Sequence, residues 1–129
     1  MERTVTPNEA AVVGWLLDHA PVGDVTAYRL QPVEGLRVVG GCECGCSSLD
    51  FQPNAWGGAT IIADAWAVYS DGQQAGLILW GRAGEIVLLE VYDCDPGASH
   101  RFPQIANLRN CVGENSFDGL DGDAGKPSG

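Results

Sequence analysis

Apolar side chains recur along this chain at two different periods. Val12, Val13, Trp15, Leu16, Leu17 and Ala20 fall at helical spacing and form the stripe of an amphipathic helix that must dock on another layer. Thr6-Pro7-Asn8-Glu9 supplies its start. Thr6 can cap, Pro7 suits a first-turn position whose N–H has no intrahelical partner, and Glu9 can close a capping box. Pro21 and Gly23 stop the helix. Beyond this point alternation replaces helical spacing. Val25 to Leu30 is predicted as a first strand ended by Pro32, Leu36 to Gly40 as a second, and Ser48 to Phe51 as a short third. Residues 52–58 read as a loop. Ala59 to Tyr69 is the longest strand, with Ile62, Asp64, Trp66 and Val68 on one face and Ile61, Ala63, Ala65, Ala67 and Tyr69 on the other. Ala75 to Gly81 and Glu85 to Tyr92 form a hairpin around Arg82-Ala83-Gly84, where Gly supplies a positive φ.

Consecutive strands with short connections favour an antiparallel meander. The expected fold is therefore α+β, an N-terminal helix packed on a mostly antiparallel sheet of about five or six strands. Both faces of the last hairpin are apolar. One is expected to take the helix, the other to be covered by the 101–111 segment or by a partner. Residues 1–111 read as a single domain. Residues 112–129 hold five Gly, four acids and one Lys, the composition of a flexible acidic tail.

Charge narrows the partners. Seventeen acids against seven bases give a formal charge of -10 in 129 residues. Nucleic acid and anionic membrane surfaces both require clustered Lys and Arg, so neither is expected. The tail carries -3 of the total, leaving -7 on residues 1–111. Only that part belongs to a folded surface able to select a basic partner. The amino terminus shows no basic region followed by an apolar stretch, and no apolar run approaches the ~18 residues that span a bilayer. A cytoplasmic location is expected, with structural disulfides disfavoured.

The five cysteines stand at 42, 44, 46, 94 and 111. In an extended segment Cys42, Cys44 and Cys46 share one face, with α-carbons roughly 6–7 Å apart. Zinc needs sulfurs within about 2.3 Å of the metal, so the backbone would have to bend, which Gly40, Gly41 and Gly45 permit. Cys94, Cys111, His100 or Asp93 could add a ligand. The candidate metal set is Cys42, Cys44, Cys46, Cys94 and His100, with zinc as the cofactor. Against it stands the spacing, since structural zinc sites pair ligands two to four residues apart in two separate halves. Three small cysteines in a Gly-rich turn, or a strained disulfide within Cys44-Gly45-Cys46, fit the same residues.

The remaining polar candidates have plainer readings. His19 suits a helix C-terminus, and His100 a loop. Asp93 and Asp95 suit a turn before Pro96-Gly97. Asp64 and Glu90 are carboxylates among apolar residues, expected at an edge or facing solvent. Trp56, in a Gly-rich loop, is the candidate partner-binding residue. No phosphate-binding glycine loop, nucleophile elbow or His-Glu-x-x-His motif occurs, so the chain leans away from an enzyme.

Two segments carry a resemblance. Residues 42–51 (CECGCSSLDF) and 77–92 (LILWGRAGEIVLLEVY) resemble a group of small uncharacterised bacterial proteins, mainly actinobacterial. These combine a Cys-x-Cys-Gly-Cys segment with a strand ending in Leu-Glu-x-Tyr, here Leu89-Glu90-Val91-Tyr92, and a proline-containing C-terminal stretch, here Phe102-Pro103. Ser47 and Ile86 depart from that pattern. The resemblance implies a fold of this kind and no activity. The function expected from the residues is a non-enzymatic acidic interaction module, immunity-like, for a basic protein partner. The alternative is a small zinc-binding module built on Cys42, Cys44 and Cys46.

Overall fold

The structure, a computed structural model, describes residues 2–41 and 45–110. The predicted tail at 112–129 and three of the five cysteines, Cys42, Cys44 and Cys111, lie outside the described residues. Helix α1 spans Pro7–His19 and begins as the sequence requires. The Glu9 N–H donates to Thr6 Oγ1 at 3.1 Å, and the Thr6 N–H donates to Glu9 Oε1 at 2.8 Å. The Arg3 guanidinium grips both oxygens of Glu9, each at 2.8 Å. Arg3 lies on β1 (Arg3–Thr4), which pairs with β2 (Arg37–Val38) as a small separate ribbon.

The predicted first strand at 25–30 is instead a short helix, α2 (Thr26–Arg29). Asp24 Oδ1 accepts from both the N–H and the hydroxyl of Thr26, at 3.0 and 2.6 Å, which bends the chain into a turn. Arg29 then donates to the carbonyl of Leu17 at 2.8 Å and ties α2 to α1. Tyr28 lies on the sheet where Gly81 leaves room for its ring.

Among the described residues, the main sheet is antiparallel and has six strands. In chain order these are β3 (Gly40–Gly41), β4 (Leu49–Asp50), β5 (Thr60–Val68), β6 (Gln74–Arg82), β7 (Glu85–Asp93) and β8 (Leu108–Asn110). Their spatial order is β3-β4-β7-β6-β5-β8. The α+β architecture expected from the sequence is the one observed. β6 and β7 are joined by a two-residue turn in which Ala83 (φ 53°) and Gly84 (φ 81°) are both left-handed, the turn whose twist matches a hairpin.

One face of this sheet takes α1. Ala63, Ala65 and Ala67 on β5 continue through Leu79, Leu77 and Ala75 on β6 to Leu89 and Val91 on β7. All are buried with Val12, Val13, Leu16 and Leu17 of the helix. The predicted phase of β5 is right from Ala63 onward and inverted before it. Ile61 pairs with Trp80 and Ala63 with Leu79, so Ile62 is a bulged extra residue. It turns into the core at 5 % exposure, whereas Ile61 is 41 % exposed on the opposite face.

The 101–110 segment does not cover that opposite face. Asn8 Nδ2 donates to the Pro103 carbonyl at 2.9 Å, which brings the segment to α1, and β8 then extends the sheet beside β5. Among the described residues, one end of the second face is overlaid. There the 51–59 loop packs Ala55 against Val87 and Leu88, with Trp80 alongside. Among the described residues, no helix is long and apolar enough to cross a membrane.

Candidate functional site

The register places polar and aromatic side chains together on the sheet face opposite α1. Asp64, Ile78 and Glu90 form one cross-strand row, and Trp66, Gly76 and Tyr92 the next. Asp50 of β4 stands opposite Leu88 of β7, which in turn stands opposite Trp80. Asp64 and Glu90 therefore sit on interior strands rather than at an edge, and both are half-buried. With β6 between them, their backbones stand two strand spacings apart, about 9.5 Å, so they do not form a proton-sharing pair.

A cleft of about 340 Å³ opens where β4 meets β7, between Asp50, Trp56, Leu88, Glu90 and Tyr92. Each wall has a local cause. Asp50 faces Gly40 on β3, where a side chain would come within 3.3 Å of its Oδ2. The carboxylate thus rests against bare backbone, and burial pushes its pKa up. Glu90 is oriented by Trp80, whose indole N–H donates to Glu90 Oε1 at 3.1 Å. The Tyr92 ring fills the space above Gly76, where an added Cβ would come 1.9 Å from Tyr92 Cζ. Trp56 is 58 % exposed and meets Trp80 edge-on at 5.2 Å. Its loop is held by Arg82, which donates to the carbonyls of Asn54 and Gly57 and to Gln52 Oε1.

The other end of the cleft is formed by Cys46, Ser48 and Ser99. Ser48 is buried and its hydroxyl is committed. It accepts the Val91 N–H at 2.8 Å and lies 3.2 Å from both the Val91 carbonyl and Cys46 Sγ. Such a hydroxyl is a strut between strands, since among the described residues its partners are the Val91 backbone and Cys46 and not a base that would make it a nucleophile. Ser47 donates through both its N–H and its hydroxyl to the Ser99 carbonyl, at 2.7 and 2.9 Å. The Ser99 N–H donates in turn to Asp93 Oδ1 at 2.7 Å. Hydrogen bonds from Ser99 first, then the Gly97 N–H and the nearby His100, hold Asp93 below the usual carboxylate range. Asp95 accepts the Gln74 N–H at 2.7 Å. Both carboxylates are thus turn-forming groups.

The sequence-derived metal set is partly placed. Cys46 is half-buried at the cleft. The His100 ring approaches Gly45, with Nε2 3.7 Å from where a Cβ on Gly45 would stand. Cys94 is an exposed free thiol. Partial burial first, then the charges of Asp95 and Asp93, push its pKa up, which opposes thiolate chemistry. Among the described residues, no three His, Cys, Asp or Glu side chains converge as metal ligands. His19 stacks on Trp15, with centroids 4.6 Å apart, and its Nδ1 lies 3.1 Å from the Trp15 carbonyl.

Trp56 stands out in the sequence because an exposed aromatic in a Gly-rich loop is conspicuous. Asp50 and Tyr92 do not, since their significance depends on pairing β4 and β6 with β7. No family model matches this chain, and comparison with curated proteins and with solved structures finds no match.

Proposed function

We propose that this protein is an acidic, non-enzymatic, cytoplasmic interaction module that binds a basic protein through the sheet face opposite α1, as an immunity protein masks a basic toxin or nuclease. One observation carries the reading: exposed Trp56, Tyr92 and Ile61 share that face with the carboxylates of Asp50, Asp64 and Glu90. Aromatic anchors within an acidic field are what a basic surface docks on, the aromatics giving affinity and the charge giving steering and partner choice. The overall charge of -10 acts in the same direction at longer range.

A photocrosslinking amino acid placed at Trp56 or Tyr92, with exposed Ile105, which lies against α1, as a control, tests it in cells of the source organism. The reading expects adducts to a basic protein from the first two positions and none from Ile105. Equal adducts from all three, or adducts only to acidic proteins, would overturn it.

A second reading keeps the zinc module of Cys42, Cys44 and Cys46, because the His100 ring reaches the same segment at Gly45. Cys94 would be the remaining ligand from the sequence. Elemental analysis of tag-free protein decides it. Thiolate sites bind tightly enough that less than about a tenth of an equivalent of metal would exclude it.

A further inference from the structure

We infer that the cleft between Asp50, Glu90, Trp56 and Tyr92 receives the guanidinium group of an arginine side chain presented by the basic partner. The inference rests on the docking face proposed above and names the group that the face selects. The cleft is of ligand-binding size at about 340 Å³. No Lys or Arg occurs among the described residues that line it. Arg82, which holds the Trp56 loop, is spent on the loop carbonyls of Asn54 and Gly57. An anion would meet the acidic side chains of Asp50, Glu90 and Asp93 with no cationic side chain among the described lining residues to offset them. A cation meets the carboxylates of Asp50 and Glu90 and the two aromatic rings.

Geometry separates the possible cations. Asp50 pairs with Leu88, and Glu90 is two residues further along β7 on the same face. The two carboxylates are therefore diagonal neighbours, about 7–8 Å apart at the backbone. A compact ammonium engages one of them at a time. A guanidinium is flat and carries donors on opposite edges, so it can bridge two carboxylates while stacking on an indole. Trp56 offers that ring at the rim, braced edge-on by Trp80. Glu90 is already oriented by the Trp80 indole N–H, so little side-chain freedom remains to be lost on binding.

The test follows the indole N–H resonances of Trp56 and Trp80 in the full-length protein during titration with a blocked Gly-Arg-Gly peptide. Parallel titrations use the Lys peptide and the uncharged, isosteric citrulline peptide. The arginine peptide is expected to shift both resonances saturably, the lysine peptide to bind several-fold more weakly, and the citrulline peptide to leave both unmoved. Asp50→Asn and Glu90→Gln should each weaken binding about tenfold, the loss of one charge-assisted hydrogen bond. Trp56→Ala, in an exposed loop, supplies a third variant whose folding is not at risk, and its affinity should fall by a similar factor. Equal binding of citrulline and arginine peptides, or full affinity in both carboxylate variants, would overturn the inference. If crosslinks from the sheet face persist while the arginine peptide fails to bind, only the arginine assignment falls. If those crosslinks vanish, the docking face falls with it.

Discussion

Glu9 links the N-terminal ribbon to the first helix, and its removal should cost more than any other single surface charge. The carboxylate is 8 % exposed and accepts three hydrogen bonds, two from Arg3 and one from the Thr6 N–H, each at 2.8 Å. Glu9→Gln keeps an oxygen for the Thr6 N–H but loses the ion pair. The Arg3 side chain is 45 % exposed, so solvent screening limits the pair to about 1 kcal/mol. Glu9→Ala loses the pair and also leaves the Thr6 N–H without its capping partner, a further cost of about 1 kcal/mol. The expected losses are thus about 1 and about 2 kcal/mol, read as urea midpoints. By heating, each kcal/mol corresponds to roughly 4–8 °C for a domain near this size. The pH dependence has a definite sign. Hydrogen bonding from Arg3, then from Thr6, lowers the Glu9 pKa in the folded state. A depressed carboxylate stabilises the fold above its unfolded pKa of about 4.3, and that stability is lost as pH falls through the folded value. The gap between wild type and Glu9→Gln should therefore be full at neutral pH and close in acid. Identical midpoints for Glu9→Gln and Glu9→Ala, or a gap that does not change with pH, would refute the assignment of these energies.

Two glycines under tyrosine rings should respond differently to the same substitution. Gly76→Ala places a methyl 1.9 Å from Tyr92 Cζ, but Tyr92 is 43 % exposed and can swing outward. The backbone gain of about 0.5–1 kcal/mol then offsets much of the lost contact, leaving stability nearly unchanged while the arginine peptide binds less well. Gly81→Ala puts its methyl 2.4 Å from Tyr28 Cε1. Tyr28 is packed on the core by α2, so the cost should be about 1–3 kcal/mol of overpacking; equal urea midpoints for the two variants would contradict this. At the β6–β7 turn, Ala83 holds a left-handed φ of 53° ahead of Gly84. Ala83→Asn, which tolerates that conformation, should stabilise the fold by up to about 1 kcal/mol, read as a higher urea midpoint, and a lower midpoint would show that the turn is not strained.

The helix start was legible because a capping box is local: Thr6, Pro7 and Glu9 act within one turn. The three long strands were legible because each of β5, β6 and β7 is a nine-residue run rich in apolar residues and bounded by turn residues, and from Ala63 onward β5 alternates. Residues 25–30 depart from the expected strand for the complementary reason. Six residues of mixed polarity satisfy a short strand as well as a helical turn, and the side-chain bond from Asp24 to Thr26 decided between them. Asp64 and Glu90 attracted notice as carboxylates among apolar neighbours, yet nothing along the chain placed Ile78 between them. Asp50 and Tyr92 enter the site only through register, which a single sequence expresses weakly when several apolar strands could pair.

The β5 bulge shows why the face opposite α1 escaped the alternation rule at the end where its site lies. A strict two-residue period assigns Ile62 to the side of Asp64 and Trp66, and Ile61 to the helix side. One extra residue reverses both, because a slip of one position exchanges the faces. A second irregularity lies opposite, between Trp80 and Gly81, where Val87 on β7 is the additional residue. It places Val87 and Leu88 in succession under the 51–59 loop. Trp80 lies between these irregularities, paired with Ile61 on one side and Leu88 on the other. From there it reaches both Trp56 and Glu90. The break in periodicity thus gathers an indole, a carboxylate and an exposed aromatic around one cleft. The 101–110 segment meanwhile turns away to α1 and extends the sheet as β8. The features on which binding is proposed therefore gather where the alternation breaks.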